Sequence, residues 1–335
     1  MNNRTIESVS FMRRQKKDKK YILLQQYSKI FFLSIVSVII LFSALNTIYC
    51  ADDSTRKSRS IAVMIGNSPA ERIHQKGLTQ AAVIYEIEVE FPFTRYMAFF
   101  LDDRETIIGP VRSSRYYFSR ICAEWSAIFA HCGGQNLKNA KILDMDEIHH
   151  PFSFWRDAKI GGWINLFANT ATLKKEAEKQ NKISMNKQWY HPLLNYSQPM
   201  ASDNGQIHKM TIKYHQDYIV SYEYQPDEKK YYRYINQKPH YDRGYGEQIK
   251  VSNIVLQQTA IEKITGDELD RVQVKLTGEG IGNLFMAGNC QSIRWIKRKN
   301  DDRTQFVDST GNPLSFLPGM TWVHLLSPRS EVWFK

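Results

Sequence analysis

Three glutamates alternate with apolar residues in the run YEIEVE, residues 85–90. Successive side chains of a β-strand point to opposite faces, so Glu86, Glu88 and Glu90 would share one face. We call these three residues the acidic row. Such a row is either the solvated face of a sheet or a site that transfers protons, because a carboxyl group with a raised pKa can protonate a leaving group.

Two arginines and two serines stand at a predicted loop-to-helix junction in IIGPVRSSRYYFSR, residues 107–120. The free N–H groups and the dipole of a helix N-terminus favour anions, and arginine binds carboxylate or phosphate in a bidentate manner. Arg112 and Arg115 therefore predict an anion site. The alternative is that they pair with nearby acids such as Glu86 or Asp103.

His131 ends the apolar run IFAH and is followed by Gly133 and Gly134. Glycine allows a backbone to approach a ligand closely, so a histidine at this strand end is a candidate functional group. A single histidine can equally be a hydrogen-bonded structural residue.

The sequence contains no recognisable metal or cofactor motif. The adjacent His149 and His150 cannot both reach one metal from regular structure, and there is no HExxH, CxxC, GxSxG or Walker pattern. GEGIGN, residues 278–283, lies among predicted strands and is interpreted as a turn. Cys122 and Cys132 are close enough in sequence to pair in an exported domain, but spacing alone leaves this open. We predict no metal and no cofactor.

The positive charge is concentrated at the N-terminus. The net charge is +11, and residues 1–29 contain eight basic and two acidic residues, which leaves +5 for the remainder. A mild, well-mixed charge argues against nucleic acid as a partner.

Residues 30–50 predict a transmembrane signal anchor. Twenty uncharged residues can span about 30 Å as a helix, and the basic residues before them indicate a cytoplasmic tail over 1–29. Residues 51–60 then form an extracytoplasmic linker in a single-pass protein of the cytoplasmic membrane. The alternative is export after cleavage near Cys50 or Ala51, although the preceding Thr-Ile-Tyr is a poor lipoprotein signal.

Two domains are expected after the linker. Apolar runs and helical segments over 61–200 predict an α/β (α+β) N-terminal domain with a mixed sheet. Alternating runs over 206–335 predict a mainly antiparallel β C-terminal domain. Because the C-terminal domain is expected to have a core of its own, residues 51–205 are expected to fold alone.

The order of several motifs resembles the YerB-like lipoproteins, a family built on the domain of unknown function 3048. The motifs are IAVMIGNSPAER, IGPVRSSRYYF, FAHCGG, SNIVLQ and LTGEGIGNLFMAGN, and the resemblance extends from Ile61 to Leu325. It implies an envelope protein outside the membrane with an N-terminal α/β domain and a β-rich C-terminal domain. The recurrent polar positions of the family correspond here to Glu86, Glu90, Arg95, Arg112, Ser113, Arg115, His131, Gly133, Gly134, Arg156, Asp157 and Asn165.

The first functional hypothesis is an enzyme that cleaves peptidoglycan glycan strands, as a hydrolase or a lytic transglycosylase. Glu86 or Glu90 would be the general acid, and His131, the third candidate catalytic residue, would help to orient the sugar. Glu86 and Glu90 lie about 13 Å apart along a strand, so a single-acid mechanism fits better than a paired one. The arginines would bind lactyl or peptide carboxylates, and Asn165 would orient the sugar.

The second hypothesis is a non-catalytic envelope module for glycan, an anionic ligand or a partner protein. The same arginines would bind the ligand, and the glutamates would hold them in place. The resemblance also divides the acidic row, because the position of Glu88 is usually apolar in the family. A face with an apolar residue between two acids is expected to be covered, and covered carboxylates need arginine partners or a raised pKa. Arg95, Arg112 and Arg115 are the expected partners.

Overall fold

The computed structural model describes residues 59–134, 146–180, 191–197 and 207–335. Strands contain 47% of these residues and helices 12%, so the protein is mostly β. The α/β (α+β) class predicted for the N-terminal part is therefore wrong, although a mixed sheet followed by further β structure is present. After the four-residue helix Pro69–Arg72, the chain up to residue 81 contains only a three-residue 3₁₀ helix.

The single N-terminal transmembrane helix of that prediction finds no support. Residues 30–50 lie outside the described part of the chain. Within the described part, no helix has both the length and the apolar character needed to cross a membrane.

Few helices occur in the described residues. The α-helices are α1 (Pro69–Arg72), α2 (Tyr116–Glu124) and α3 (Thr170–Lys179), and 3₁₀ helices span Leu78–Gln80 and Pro192–Leu194. The strands before residue 200 are β1 (Ile61–Gly66), β2 (Val83–Glu88), β3 (Thr94–Phe100), β4 (Ile107–Ile108), β5 (Ile128–His131), β6 (Asp146–His149), β7 (Phe154–Arg156) and β8 (Leu166–Asn169).

The remaining strands follow one another closely. They are β9 (Lys209–His215), β10 (Tyr218–Gln225), β11 (Lys230–Ile235), β12 (Lys238–Pro239), β13 (Tyr241–Asp242), β14 (Glu247–Gln248), β15 (Lys250–Val251), β16 (Asn253–Gln258), β17 (Ile261–Lys263), β18 (Val272–Val274), β19 (Gly278–Met286), β20 (Asn289–Lys297), β21 (Gln305–Val307), β22 (Thr321–Leu326) and β23 (Glu331–Phe334).

A ten-stranded mixed sheet crosses the predicted domain boundary. Its order is β21-β20-β19-β16-β22-β2-β3-β1-β5-β6, and β22 lies parallel to β2 with Val83 opposite Thr321. Five strands from the second half of the sequence therefore join five from the first half, at the β22–β2 pair, in one hydrogen-bonded sheet. Lys57–Lys335 form one compact unit.

Each face of this sheet has its own apolar core. On one face, Ile84 of β2 packs in a cluster with Met210 and Tyr222 from a six-stranded sheet, whose order is β12-β11-β10-β9-β23 with β15 also paired to β11. On the other face, Tyr85 joins Phe118 of α2. The period of two in β2 thus directs its apolar odd positions toward α2 and its even positions, including the acidic row, toward the second sheet.

The glycines of GEGIGN serve close packing within a strand, so their interpretation as a turn is wrong. They belong to β19, where a Cβ on Gly282 would lie 2.0 Å from the Leu256 carbonyl oxygen. A Cβ on Gly280 would lie 2.5 Å from the indole nitrogen of Trp295, which donates to the Gln258 carbonyl at 2.8 Å. Only glycine leaves room for this contact.

The shared sheet reverses the expectation that residues 51–205 fold alone. In that fragment β2 lacks its neighbour β22, and the core between the two sheets lacks one wall. We expect the fragment to show no cooperative thermal transition in near-ultraviolet circular dichroism, whereas residues 51–335 show one. A cooperative transition of the fragment would contradict this.

Candidate functional site

The acidic row faces the second sheet and is largely covered. The carboxylate of Glu86 is 0% exposed and that of Glu88 is 3% exposed, while Glu90 lies beyond the end of β2 and is 20% exposed. The three glutamates have separate surroundings and do not form one site.

Four donors surround the carboxylate of Glu86. Its Oε1 accepts hydrogen bonds from the hydroxyls of Thr94 at 3.0 Å and Tyr218 at 2.5 Å. Its Oε2 accepts from the guanidinium of Arg233 at 2.8 Å and the indole N–H of Trp322 at 3.1 Å. A fully buried carboxylate is stable only with such a complete set of partners.

Arg233 is also 0% exposed and is held by the second sheet. Its Nε donates to the hydroxyl of Tyr222 at 3.1 Å, and its Nη1 lies 2.5 Å from Nδ1 of His240. Arginine can only donate, so Nδ1 of His240 accepts and Nε2 donates to the Gln75 side chain at 2.6 Å. Burial, together with the charge of Arg233, holds the pKa of His240 well below its ordinary value, which keeps the ring neutral.

A second histidine completes the cluster. His324 lies between the hydroxyls of Tyr214 at 2.7 Å and Tyr222 at 2.9 Å. Burial, followed by the charge of Arg233, holds the pKa of His324 well below its ordinary value. The Glu86–Arg233 pair and the polar side chains around it therefore form a closed network. Glu86 has no route to a substrate and no free lone pair, so it is unsuited to general acid catalysis.

Glu88 has one charged partner. Nη2 of Arg329 lies 3.0 Å from its carboxylate, and Arg329 itself is 44% exposed. Burial raises the pKa of Glu88, and the charge of Arg329 opposes that rise. Position 88, which is usually apolar in the family, thus carries a buried acid in this chain.

Glu90 lies between two arginines. Nη2 of Arg95 is 3.1 Å from its Oε2, and Arg115 forms an ion pair with its Oε1. The same arginines reach the neighbouring loop, where Arg95 donates to the Ser113 carbonyl at 2.8 Å and Arg115 to the Ser114 carbonyl at 2.6 Å. Both oxygens of the Glu90 carboxylate are therefore already paired with guanidinium groups of the protein.

Arg112 supports an exposed tryptophan. Its guanidinium pairs with Glu71 and lies 3.7 Å from the ring centroid of Trp163, whose side chain is 60% exposed. Burial lowers the pKa of Arg112 to about 10, with Glu71 opposing the shift, so the group is charged at neutral pH. A cation–π contact holds the indole on its inner face and leaves the outer face to solvent.

The loop that carries Trp163 is closed by predicted site residues. Arg156 donates to the Asn165 side chain at 2.8 Å, and the Asn165 amide donates to the Ile160 carbonyl at 3.2 Å. The backbone N–H of Asp157 donates to the Asn165 carbonyl at 2.8 Å. Asn165 therefore fixes the loop between β7 and β8.

His131, Gly133 and Gly134 lie beside the loop that contains Ser113 and Ser114. Nδ1 of His131 is 2.9 Å from the Gly133 carbonyl, and Nε2 is 3.0 Å from Glu147. Gly134 has φ +133°, and a Cβ there would lie 2.8 Å from the Ser114 carbonyl oxygen. The glycines thus permit close contact between two loops of the protein, rather than the contact with a ligand that the sequence suggested.

Four arginines follow one another near the carboxyl ends of β1 and β5. We call Arg115, Arg95, Arg112 and Arg156 the arginine strip. Strands β1, β5 and β6 are parallel, and ligands commonly bind beyond the carboxyl ends of parallel strands. The structure brings Glu90, Arg95, Arg115 and Ser113 together, whereas Glu86 lies apart in the interior.

Residues 59–134, 146–180, 191–197 and 207–335 contain no group of three His, Cys, Asp or Glu side chains that could hold a metal. Cys122 and Cys132 are free thiols. Sequence reasoning missed Arg233, Trp322 and Trp163. Only Trp163 had a local signal, as a tryptophan directly after Gly161-Gly162.

The fold is a mixed ten-stranded sheet backed by a second sheet, with paired arginines near the carboxyl ends of its parallel strands. Residues 47–184 match the N-terminal domain of the proteins of unknown function DUF3048, and residues 210–323 match the C-terminal domain of that family. The chain belongs to the DUF3048 family, which confirms the resemblance seen in the sequence.

A named protein and a solved structure, both from Bacillus subtilis, are similar to this chain. The protein named "Putative lipoprotein YerB" of Bacillus subtilis (strain 168) is 27% identical over 285 residues, which cover 82% of this chain and 83% of that protein. The crystal structure of YerB protein from Bacillus subtilis has a TM-score of 0.71 at 26% identity, covering 83% of this chain and 94% of that one.

Replacing the buried acid tests its structural role. In Glu86→Gln, Arg233 keeps a buried charge without a counter-charge, so we expect a loss of about 3–5 kcal/mol in the free energy of unfolding in urea. Glu279→Gln is the control, since Glu279 pairs with Arg294 at 2.7 Å while 65% exposed. The control should lose no more than about 1 kcal/mol. Equal effects of the two variants would contradict the structural role.

Glu88 gives a pH-dependent prediction. Because its pKa is raised in the folded protein, the folded state binds more protons than the unfolded chain above the ordinary value of 4.5. The free energy of unfolding therefore falls as pH rises from the ordinary pKa of the unfolded chain through the raised pKa of the folded protein. Glu88→Gln removes this loss, so its free energy of unfolding relative to wild type should increase from pH 4 to pH 7. Glu247→Gln, at an exposed position, should show a smaller change; an equal or opposite change at Glu88 would refute the assignment.

Proposed function

We propose that this chain is an exported, membrane-associated envelope protein that binds peptidoglycan glycan strands without cleaving them. Association with the envelope is supported by the similarity to a protein named a lipoprotein. Binding is preferred to catalysis because the carboxylates of Glu86 and Glu90 are already engaged by donors of the protein. Glycan is preferred as the ligand because of the exposed surface around Trp163.

Cleavage of a glycosidic bond requires an accessible acid that carries a proton. Glu86 is enclosed by its four donors, and Glu90 is paired with two arginines. Both carboxylates are thus already engaged by donors of the protein itself. The arrangement supports the second of the two hypotheses, in which the glutamates hold arginines in place.

The exposed face of Trp163 is the observation that carries the proposal. Apolar C–H faces of sugar rings pack against aromatic rings, and polar groups around the ring bind the hydroxyls. Arg112 and the loop closed by Asn165 fix the indole, so little conformational entropy is lost on binding. Arg156, exposed beside Asn165, retains guanidinium donors for a lactyl or peptide carboxylate.

Binding to purified sacculi tests the proposal. Trp163→Ala should reduce the affinity of the full chain about tenfold or more in a pull-down titration, as expected for the loss of a central aromatic contact. Trp333→Ala is the matched control, because Trp333 is 48% exposed on the second sheet. Equal affinity of the Trp163 variant and wild type would contradict the proposal.

The same sacculi test the enzyme hypothesis. We expect wild type and Glu90→Gln to release no more soluble muropeptide than buffer while both remain bound. Release by wild type that the Glu90 variant abolishes would show catalysis and overturn the non-catalytic function.

A further inference from the structure

A cleft of about 290 Å³ opens between β7 and α3. It is lined by Ser153, Phe154, Trp155, Thr172, Lys175 and Lys179. Every charged side chain in this lining is a cation. The volume is near the lower limit of about 300 Å³ for small-molecule sites, which suits one sugar unit better than a larger ligand.

The two lysines are one helical turn apart on α3. Lys175 and Lys179 are exposed, and neither forms an ion pair within the described part of the chain, whereas the adjacent Lys174 pairs with Asp103. Like charges four residues apart repel each other. The C-terminus of a helix favours cations in general, but this preference does not explain why Lys175 and Lys179 both line the same cleft. An anion between them would relieve the repulsion.

Trp155 supplies a rigid aromatic wall. It lies on β7 opposite Phe167 of β8, with the ring centroids 6.3 Å apart, and is 40% exposed. Its ring is thus supported from within the protein and open toward the cleft. An aromatic wall beside two cations is complementary to a ring with an apolar C–H face and an anionic substituent.

We propose that this cleft binds an acidic sugar, a hexose unit bearing a carboxylate or a phosphate. The inference rests on the proposed glycan-binding function and adds to it the charge of the ligand. Lys175 and Lys179 pair with the anionic group, and Trp155 packs against the sugar ring. The hydroxyls of Ser153 and Thr172 donate to the Thr172 and Asn169 carbonyls, so their oxygens accept from a sugar hydroxyl.

An anionic membrane surface fits the cleft less well. Docking on a bilayer requires apolar side chains that protrude into the interface. Trp155 is instead more than half covered and forms the side of a concavity. The lipid alternative is therefore treated as an outcome of the test.

Isothermal titration of the full chain with small probes tests the site. Trigalacturonate and glucose 6-phosphate should bind about tenfold more tightly than maltotriose, because two charge-assisted contacts are added. Lys175→Gln/Lys179→Gln should remove this preference. Lys238→Gln/Lys299→Gln, with the same change in net charge at exposed positions outside the cleft, should keep it.

Three results would overturn the inference. They are a preference for acidic probes that survives in the Lys175/Lys179 variant, inorganic phosphate that binds as tightly as glucose 6-phosphate, and binding to phosphatidylglycerol vesicles without binding to the acidic sugars. Failure of the proposed function is recognised separately. In that case Trp163→Ala leaves sacculus binding unchanged, while the charge preference of the small probes still reports on the cleft.

Discussion

Glu86 and Arg233 form an ion pair from which water is excluded, and the two halves of the chain are held around it. Burying either charge alone is costly, so both must be present together with their hydrogen-bond partners. Those partners come from β3, β10 and β22, on both sides of the predicted domain boundary. The ion pair therefore requires the ten-stranded sheet and the second sheet to assemble as one body.

This constraint separates the structural acids from the surface that can bind ligand. Glu86 and Glu88 are used inside the protein, and Glu90 orients arginines at its surface. The groups left for recognition include the outer face of Trp163 and the exposed donors of Arg156. The same loop region thus has rigid support from beneath and an open aromatic face, which is the arrangement expected of a binding surface.

Local patterns predicted local features well. The period of two placed Glu86 and Glu88 on one face, and the resemblance to relatives indicated that this face is covered. Arg95 and Arg115 were expected as partners of covered acids and do pair with Glu90. Arg233, the partner of Glu86, is 147 residues away in sequence, and no periodicity reports a contact at that distance. The parallel pairing of β2 with β22 is missed for the same reason, so the sequence did not predict that strands from both halves share one sheet.

A double-mutant cycle between Glu86 and Arg233 tests the central claim that their buried ion pair holds the two sheets together. The free energy of unfolding is measured for Glu86→Gln, Arg233→Met and the double variant. The account predicts a coupling energy of about 3 kcal/mol, with the double variant less destabilised than the sum of the single ones, because removing both charges leaves neither unpaired. Additive effects would contradict it.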